Sequence, residues 1–116
     1  MGQTSYKKGL WAEKAAIILL RLKGYRILEH RYKTPYGEID VIARRGETIA
    51  FVEVKARKSK QDALEAISPK AQKRIYDAAA LYLSAHTEYS AFEMRFDVIS
   101  VMPGQLPIHD QDMWRI

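Results

Sequence analysis

The sequence contains no cysteine, and its three histidines lie far apart and form no ligand motif. The absence of cysteine excludes disulfide bonds and zinc sites built from thiolates. No apolar run approaches the ~20 residues that a membrane-spanning helix needs. The first helical segment keeps charged residues such as Glu13 and Lys14, unlike a secretory signal. We therefore expect a cytoplasmic protein without a membrane span.

The remaining composition is that of a basic globular protein. The 116 residues are 47% hydrophobic, which predicts one domain over residues 1–116 with a single modest core. The formal net charge is +5, and this charge favours a polyanionic partner, because phosphate contacts dominate nucleic-acid affinity. A basic surface with no such partner explains the charge equally well.

Residues 37–57 have the sequence GEIDVIARRGETIAFVEVKAR and are predicted to form a hairpin. Two runs of strand-like composition flank a short turn at Arg45 and Gly46. Each run carries acidic residues among apolar ones. Lys55 follows Glu53 at a spacing of two, so both side chains lie on the same face of the strand.

The length of the turn decides where Asp40 lies. An even-length turn puts Asp40 opposite Phe51, diagonal to Glu53 and on the same face, whereas an odd loop or a bulge sends it to the other face. In the even case, one face carries Glu38, Asp40, Ile42, Phe51, Glu53 and Lys55. The other face carries only apolar residues, Ile39, Val41, Ala43, Ala50, Val52 and Val54.

Two carboxylates and an ammonium on a largely buried hairpin need an explanation, because buried charges are costly unless they pair or bind a metal. Carboxylate oxygens suit a hard cation such as Mg²⁺, and Lys55 beside it would hold or activate a water for attack on phosphorus. The alternative is a salt-bridge cluster of Lys55 with Glu53 and Asp40 that serves only the structure.

The spacing D-x12-E-x-K on a hairpin resembles the PD-(D/E)XK nuclease motif, with Ile39 where proline often precedes the aspartate. The longer string GEIDVIARRG…FVEVKAR resembles the YraN-like family, an uncharacterised bacterial family similar to archaeal Holliday junction resolvases. The resemblance implies an α/β, restriction-endonuclease-like sandwich with a central mixed sheet flanked by helices. It also implies Mg²⁺ or Mn²⁺ bound by Asp40, Glu53 and the backbone carbonyl of Val54, with Lys55 as the catalytic lysine.

The first helix, predicted to start at a Thr4 or Ser5 cap and to end near Lys23, contains Glu13. Glu13 points toward the sheet if the inner stripe is Gly9, Glu13, Ala16, Ile17 and Leu20. It is solvated if the inner stripe is instead Trp11, Ala15, Ile18 and Leu22, and helical periodicity fits both. Gly9, Glu13, Ala16 and Leu20 match the family's G-x-x-G-E-x-x-A-x-x-x-L pattern, with Ala12 in place of the second glycine. By that resemblance Glu13 is the third catalytic acid.

The whole chain predicts the element order αβββααβ, followed by either a final short strand or a turn in residues 105–116. Residues 25–33 and 93–102 are predicted strands, residues 34–37 a turn, and residues 61–67 a short helical stretch. Ser68 and Pro69 are typical of a helix start, and that helix should run to about Ala85. We expect its inner face to hold Ile75, Ala79, Tyr82 and Leu83. We expect Asp97 to be structural or to cap an edge, and Ile108, Met113 and Trp114 to pack back on the core.

Basic and polar residues around this helix start are candidates for binding nucleic acid, because helix N-termini favour phosphate. The candidates there are Lys70, Gln72 and Lys73, and Arg57 at the end of the hairpin is a fourth. Gln72 and Tyr76 also match the Q-x-x-x-Y pattern of some nucleases of this superfamily, although the family's usual lysine before the glutamine is Ala71 here. An exposed, solvated face accounts for each basic residue equally well.

The favoured hypothesis is a metal-dependent nuclease that hydrolyses DNA phosphodiester bonds. The resemblance to junction resolvases implies branched DNA as a candidate substrate and a homodimer as a candidate assembly. The alternatives are a nucleic-acid binding module of the same fold without catalysis, and a protein-interaction adaptor with a structural ion cluster.

Overall fold

A computed structural model describes residues 2–57 and 67–115 of the chain, with side chains described from residue 9 onward. The helices are α1 (Gly2–Leu22), α2 (Pro69–Ala85) and a short 3-10 turn (Thr87–Tyr89). The strands are β1 (Arg26–Thr34), β2 (Gly37–Arg45), β3 (Thr48–Ala56), β4 (Glu93–Val101) and β5 (Ile108–Asp110). The five strands form one sheet in chain order, in which β3 and β4 are parallel and the other pairs antiparallel.

The two long helices cover opposite faces of this sheet. Ala12, Ala16 and Leu20 of α1 pack on one face, against residues such as Val41 and Val52. The other face packs against α2, whose buried residues are Ile75, Ala78, Ala79 and Tyr82. Leu83, which was predicted on this inner face, is only partly buried. The architecture is the predicted α/β sandwich with a mixed sheet, as in the restriction-endonuclease-like fold.

The predicted hairpin of β2 and β3 is confirmed, with its turn one residue later than expected. Arg45 pairs with Thr48, so the loop is Gly46 and Glu47, and Gly46 has the positive φ (59°) that tight hairpin turns favour. The loop is of even length, as the parity argument required. Ile42, and not Asp40, lies opposite Phe51.

Strict alternation fails at the start of β2. The pairing of β2 with β3 ends at Val41 and Val52. Ile39 packs with Ile42 on the α2 side of the sheet, whereas Val41 packs on the α1 side, so the predicted face of Ile39 is wrong. A strand that has lost one neighbour is free to rotate its side chains out of register, and Asp40 lies in that stretch.

The helix boundaries agree with the sequence at one helix and differ at the other. Ser68 caps α2, because its hydroxyl oxygen accepts a hydrogen bond of 3.2 Å from the amide of Ala71. Helix α1 begins at Gly2, so the predicted start at Thr4 or Ser5 is wrong, and Gly24 follows its end with φ of 89°. The helical stretch predicted for residues 61–67 lies outside the described residues, except for Ile67, which is not helical.

A buried ionic network fixes the C-terminal segment. Asp97 is fully buried, and Arg95, His109 and the amide of Asp112 all contact its carboxylate within 3.0 Å. Burial opposes ionisation of Asp97, but these hydrogen bonds outweigh it and lower the pKa of Asp97 to about 2. The predicted structural role of Asp97 is therefore confirmed.

The last residues pack back only in part. Trp114 is buried and stacks on Phe96 at a centroid distance of 5.2 Å, as predicted. Met113 is 46% exposed, so its predicted packing is wrong. Within the described ranges, neither helix combines the length and apolarity needed to cross a membrane.

Candidate active site

Asp40, Glu53 and Lys55 lie where strands β2 and β3 cease to pair. The backbone amide of Val54 donates a hydrogen bond of 2.8 Å to Oδ2 of Asp40, in the place where a strand neighbour would otherwise accept it. The Nζ atom of Lys55 is 3.3 Å from Oε1 of Glu53. The end of the β2–β3 ladder thus brings two carboxylates and an ammonium together.

A small cleft opens between this part of the sheet and the first turns of α2. Its volume is about 120 Å³, room for a few water molecules at ~30 Å³ each. The lining residues are Gly37, Glu38, Glu53, Lys55, Ile67, Ala71, Arg74 and Ile75. The cleft therefore places Glu53 and Lys55 opposite a basic side chain of α2.

The electrostatics of Asp40 reflect crowding of negative charge. Burial, the nearby Glu53 carboxylate and, to a smaller extent, Glu13 and Glu38 together raise the pKa of Asp40 to about 7, against the opposing hydrogen bond from Val54. The ammonium of Lys55 is paired with Glu53. A cation between Asp40 and Glu53 would relieve this repulsion.

Glu13 lies on the inner face of α1 and is only 8% exposed. Its Oε2 atom accepts hydrogen bonds from Nε of Arg31 at 2.9 Å, and it lies 2.8 Å from Nη2 of Arg31 and 3.3 Å from Nε2 of His30. Arg31 reaches it from a left-handed backbone conformation with φ of 57°. The inner stripe with Glu13 is therefore the correct one, and Glu13 is near enough to Asp40 to influence its pKa.

The alternative stripe of α1 faces outward. Trp11, Ile18 and Leu22 are 49%, 58% and 81% exposed, so the interpretation that placed Glu13 in solvent is wrong.

The oxygen ligands at this site suit Mg²⁺ or Mn²⁺. The described residues contain no group of three or more His, Cys, Asp or Glu side chains that could hold a metal ion. Two carboxylates with one backbone carbonyl leave several positions for water, and Mg²⁺ is commonly bound in this way because it gives up its water reluctantly. Asp40, Glu53 and the carbonyl of Val54 are the atoms that could hold it.

The four predicted nucleic-acid ligands are not among the described residues that line the cleft. Lys70 is exposed, Lys73 pairs with Asp77 at 3.2 Å, and the side chain of Gln72 donates to the carbonyl of Ile67 at 2.9 Å. The amide of Arg57 donates to the carbonyl of Val101 and so extends the contact of β3 with β4. The role predicted for these side chains remains a prediction.

Two charged residues that line the cleft, Arg74 and Glu38, were not among the predicted site residues. Arg74 lies three residues after Ala71 and directly before Ile75, so helical spacing alone would have put it at the edge of the inner face of α2. Glu38 belongs to the charged face predicted for the hairpin, so that prediction already carried the signal that could have included it.

Comparison with known proteins now identifies the family. The sequence model of "Uncharacterised protein family UPF0102" matches residues 12–101, a range that includes Glu13, Asp40, Glu53 and Lys55. The chain belongs to this family. The YraN-like resemblance of the hairpin sequence is thereby confirmed.

Curated members of UPF0102 align with almost the whole chain. A UPF0102 protein of Chelativorans sp. (strain BNC1) is 50% identical over 112 residues, which cover 97% of this chain and 90% of the relative. A UPF0102 protein of Bradyrhizobium diazoefficiens is 52% identical over 105 residues, 90% of this chain and 79% of the relative. A third, from Parvibaculum lavamentivorans, is 46% identical and covers 98% of this chain and 86% of its own length.

Proposed function

We propose that this UPF0102 protein is a metal-dependent nuclease that hydrolyses DNA phosphodiester bonds. The observation that carries the proposal is the meeting of Asp40, Glu53 and Lys55 at the point where β2 and β3 separate. Glu13, buried on the adjacent helix, adds a further carboxylate close to Asp40. Salt bridges alone would leave Asp40 without a cationic partner among these groups, whereas a divalent cation satisfies both acids at once.

Each residue has a distinct role in this proposal. Asp40, Glu53 and the carbonyl of Val54 would hold Mg²⁺ or Mn²⁺, which supplies Lewis-acid polarisation of the phosphate and a bound water of lowered pKa. Lys55 would position the attacking water and stabilise the charge that develops on the phosphate. Arg31 holds the carboxylate of Glu13 in place, so that Glu13 can orient a water molecule near Asp40.

The basic surroundings support a polyanionic substrate. Arg74 lines the cleft beside Lys55, and Lys70 is exposed at the first turn of α2, whose N-terminus favours phosphate. The similarity of the YraN-like family to junction resolvases favours branched DNA as the substrate class and a homodimer as the active form.

The test measures metal binding and cleavage in the same variants. Asp40→Asn and Glu53→Gln should lose both Mg²⁺ binding by calorimetry and Mg²⁺-dependent cleavage of a labelled four-way junction, while Lys55→Ala should keep metal binding and lose at least about 100-fold in rate. Glu47→Gln is the matched control, because Glu47 is an exposed acid in the hairpin turn. Undiminished metal-dependent cleavage by Asp40→Asn or Glu53→Gln would refute the proposal.

Two observations favour the second candidate, a nucleic-acid binding module without catalysis. Lys55 is already paired with Glu53, and the described residues contain no group of three or more His, Cys, Asp or Glu side chains placed to hold a metal ion. This module would bind DNA with an affinity that falls with salt and does not depend on Mg²⁺. Salt-sensitive junction binding with neither cleavage nor metal binding would decide for it.

A further inference from the structure

An exposed apolar line runs along the outer face of α1, on the side away from the sheet. Trp11, Ile18 and Leu22 are 49%, 58% and 81% exposed, and Ala15 between them is half-buried and also packs against the core beneath α1. We call these four residues the α1 seam. Single exposed apolar residues are normal on a protein surface, whereas large apolar residues aligned on one helix face are typical of a contact with another molecule.

The spacing of the α1 seam indicates the shape of what covers it. Residues 11, 15, 18 and 22 follow one another at intervals of four, three and four, which is the a/d pattern of a coiled coil. An a/d stripe is narrower than the apolar face of a helix that packs on a sheet or a bilayer. The opposite side of α1, with Ala12, Ala16 and Leu20, is buried against the sheet. The seam therefore has the width of a second helix.

The charges beside the seam indicate the chemistry of that helix. Lys14 and Arg21 are exposed and lie seven residues apart, at the position that flanks the seam on one side. The second flank of the seam is formed by Ala12 and Leu19, which pack against the protein's own core and carry no charge. Within residues 9–22 the one acidic residue, Glu13, is buried on the inner face.

A second copy of the same face is a poor match for these charges. In an antiparallel pair of α1 helices, Lys14 of one copy would lie near Arg21 of the other, and like charges at these flanking positions repel. An acidic counterpart turns the same contacts into ion pairs. These charges therefore argue against self-pairing and for a negatively charged helix.

We infer that the α1 seam is a docking surface for an amphipathic helix of a partner protein, with large apolar residues at a/d spacing and Asp or Glu beside them. The partner would lie on the α1 side of the sheet, whereas the cleft lined by Glu53, Lys55 and Arg74 lies on the α2 side. This inference is independent of the proposed nuclease activity, because it uses none of the residues of the candidate active site.

The experiment uses the full chain and a synthetic, fluorescein-labelled peptide of about four heptads, with Leu at a and d and Glu at e and g. We expect saturable binding by fluorescence anisotropy and a shift in tryptophan emission, which reports on the exposed Trp11 because the second tryptophan, Trp114, is buried. Leu22→Ser should weaken binding at least about tenfold, because a buried leucine contributes that much affinity or more. Leu106→Ser is the matched control, since Leu106 is 86% exposed and lies outside α1.

A charge exchange tests the flanking positions separately. The double variant Lys14→Glu and Arg21→Glu should no longer bind the peptide with Glu at e and g. It should instead bind a peptide that is identical except for Lys at e and g. Circular dichroism checks that each exposed-site variant keeps its fold.

Three results would overturn the inference. The first is peptide binding that is the same for Leu22→Ser and Leu106→Ser, or no binding at all. The second is a dimer in sedimentation that Leu22→Ser converts to monomer, which would make a second copy the occupant. The third is a blue shift of Trp11 on vesicles with anionic lipid but not with the peptide, which would make the occupant a membrane surface.

Discussion

Replacing Asp40 by asparagine should make the metal-free protein more stable at neutral pH, although it removes a residue of the candidate site. Asparagine keeps an oxygen that accepts the hydrogen bond from the amide of Val54, and it cannot ionise beside Glu53. The expected gain follows from the raised pKa of Asp40, because a carboxylate that resists ionisation in the folded state opposes folding once the pH forces it to ionise.

The sign and the size follow from the two pKa values. The pKa of Asp40 is about 7 in the folded protein, against a reference value of 3.8. Between these values the folded state holds a proton that the unfolded state has released, so the free energy of unfolding falls as the pH rises from about 4 to about 7. At about 1.36 kcal/mol for each pKa unit the upper limit is about 4 kcal/mol, and solvent around the half-buried carboxylate makes about 2 kcal/mol the expected value.

The assay is urea denaturation of the wild type and Asp40→Asn in EDTA, from pH 4 to pH 8. As the pH rises over this range, the free energy of unfolding of the wild type should fall by about 2 kcal/mol relative to that of Asp40→Asn. Asp110→Asn, on strand β5, is the control for an aspartate outside the site. Adding Mg²⁺ at pH 8 should stabilise the wild type by up to about 3 kcal/mol at 100 times its Kd and leave Asp40→Asn unchanged.

Parallel pH dependences of the wild type and Asp40→Asn would refute the reasoning. They would mean that the two carboxylates are screened from one another, and the electrostatic argument for a cation at this site would fail with them.

Two further predictions concern the frame that holds the site. Asp97→Asn should lower the free energy of unfolding by about 3 kcal/mol in urea denaturation, because Arg95 and His109 lose a fully buried anionic partner. An effect below about 1 kcal/mol would contradict the structural role of Asp97. Ser68→Ala should lower the free energy of unfolding by about 1 kcal/mol in the same measurement, because the amide of Ala71 loses the hydroxyl that accepts its hydrogen bond. Ser90→Ala is the control, since Ser90 is an exposed serine outside α2.

The strands and α2 were predictable because their signals are local. Alternation of apolar and polar residues, the glycine of the hairpin turn and the Ser68–Pro69 pair each depend on a few neighbouring residues. The parity argument also placed Glu53 and Lys55 on one face. It misplaced Ile39, because alternation assumes an unbroken ladder, and the sequence gives no sign that β2 and β3 stop pairing after Val41.

The orientation of α1 could not be decided by its periodicity. The helix has apolar residues around most of its circumference, so two stripes fitted the sheet equally well. The structure resolves this through Arg31 and His30, which approach Glu13 from a neighbouring strand and compensate its burial. Such partners are distant in sequence, so only the family pattern favoured the inward position of Glu13.

The order of the strands has a consequence for how the protein folds. Strands β1, β2 and β3 form a meander in which pairs close through turns of about two residues, whereas β3 and β4 join residues about 45 apart, such as Thr48 and Glu93. Closing the longer loop costs about 3 kcal/mol more in chain entropy. Asp40, Glu53 and Lys55 all lie on the meander, so the β2–β3 hairpin that carries them forms through contacts between residues close in sequence. The slow, long-range step is the addition of β4.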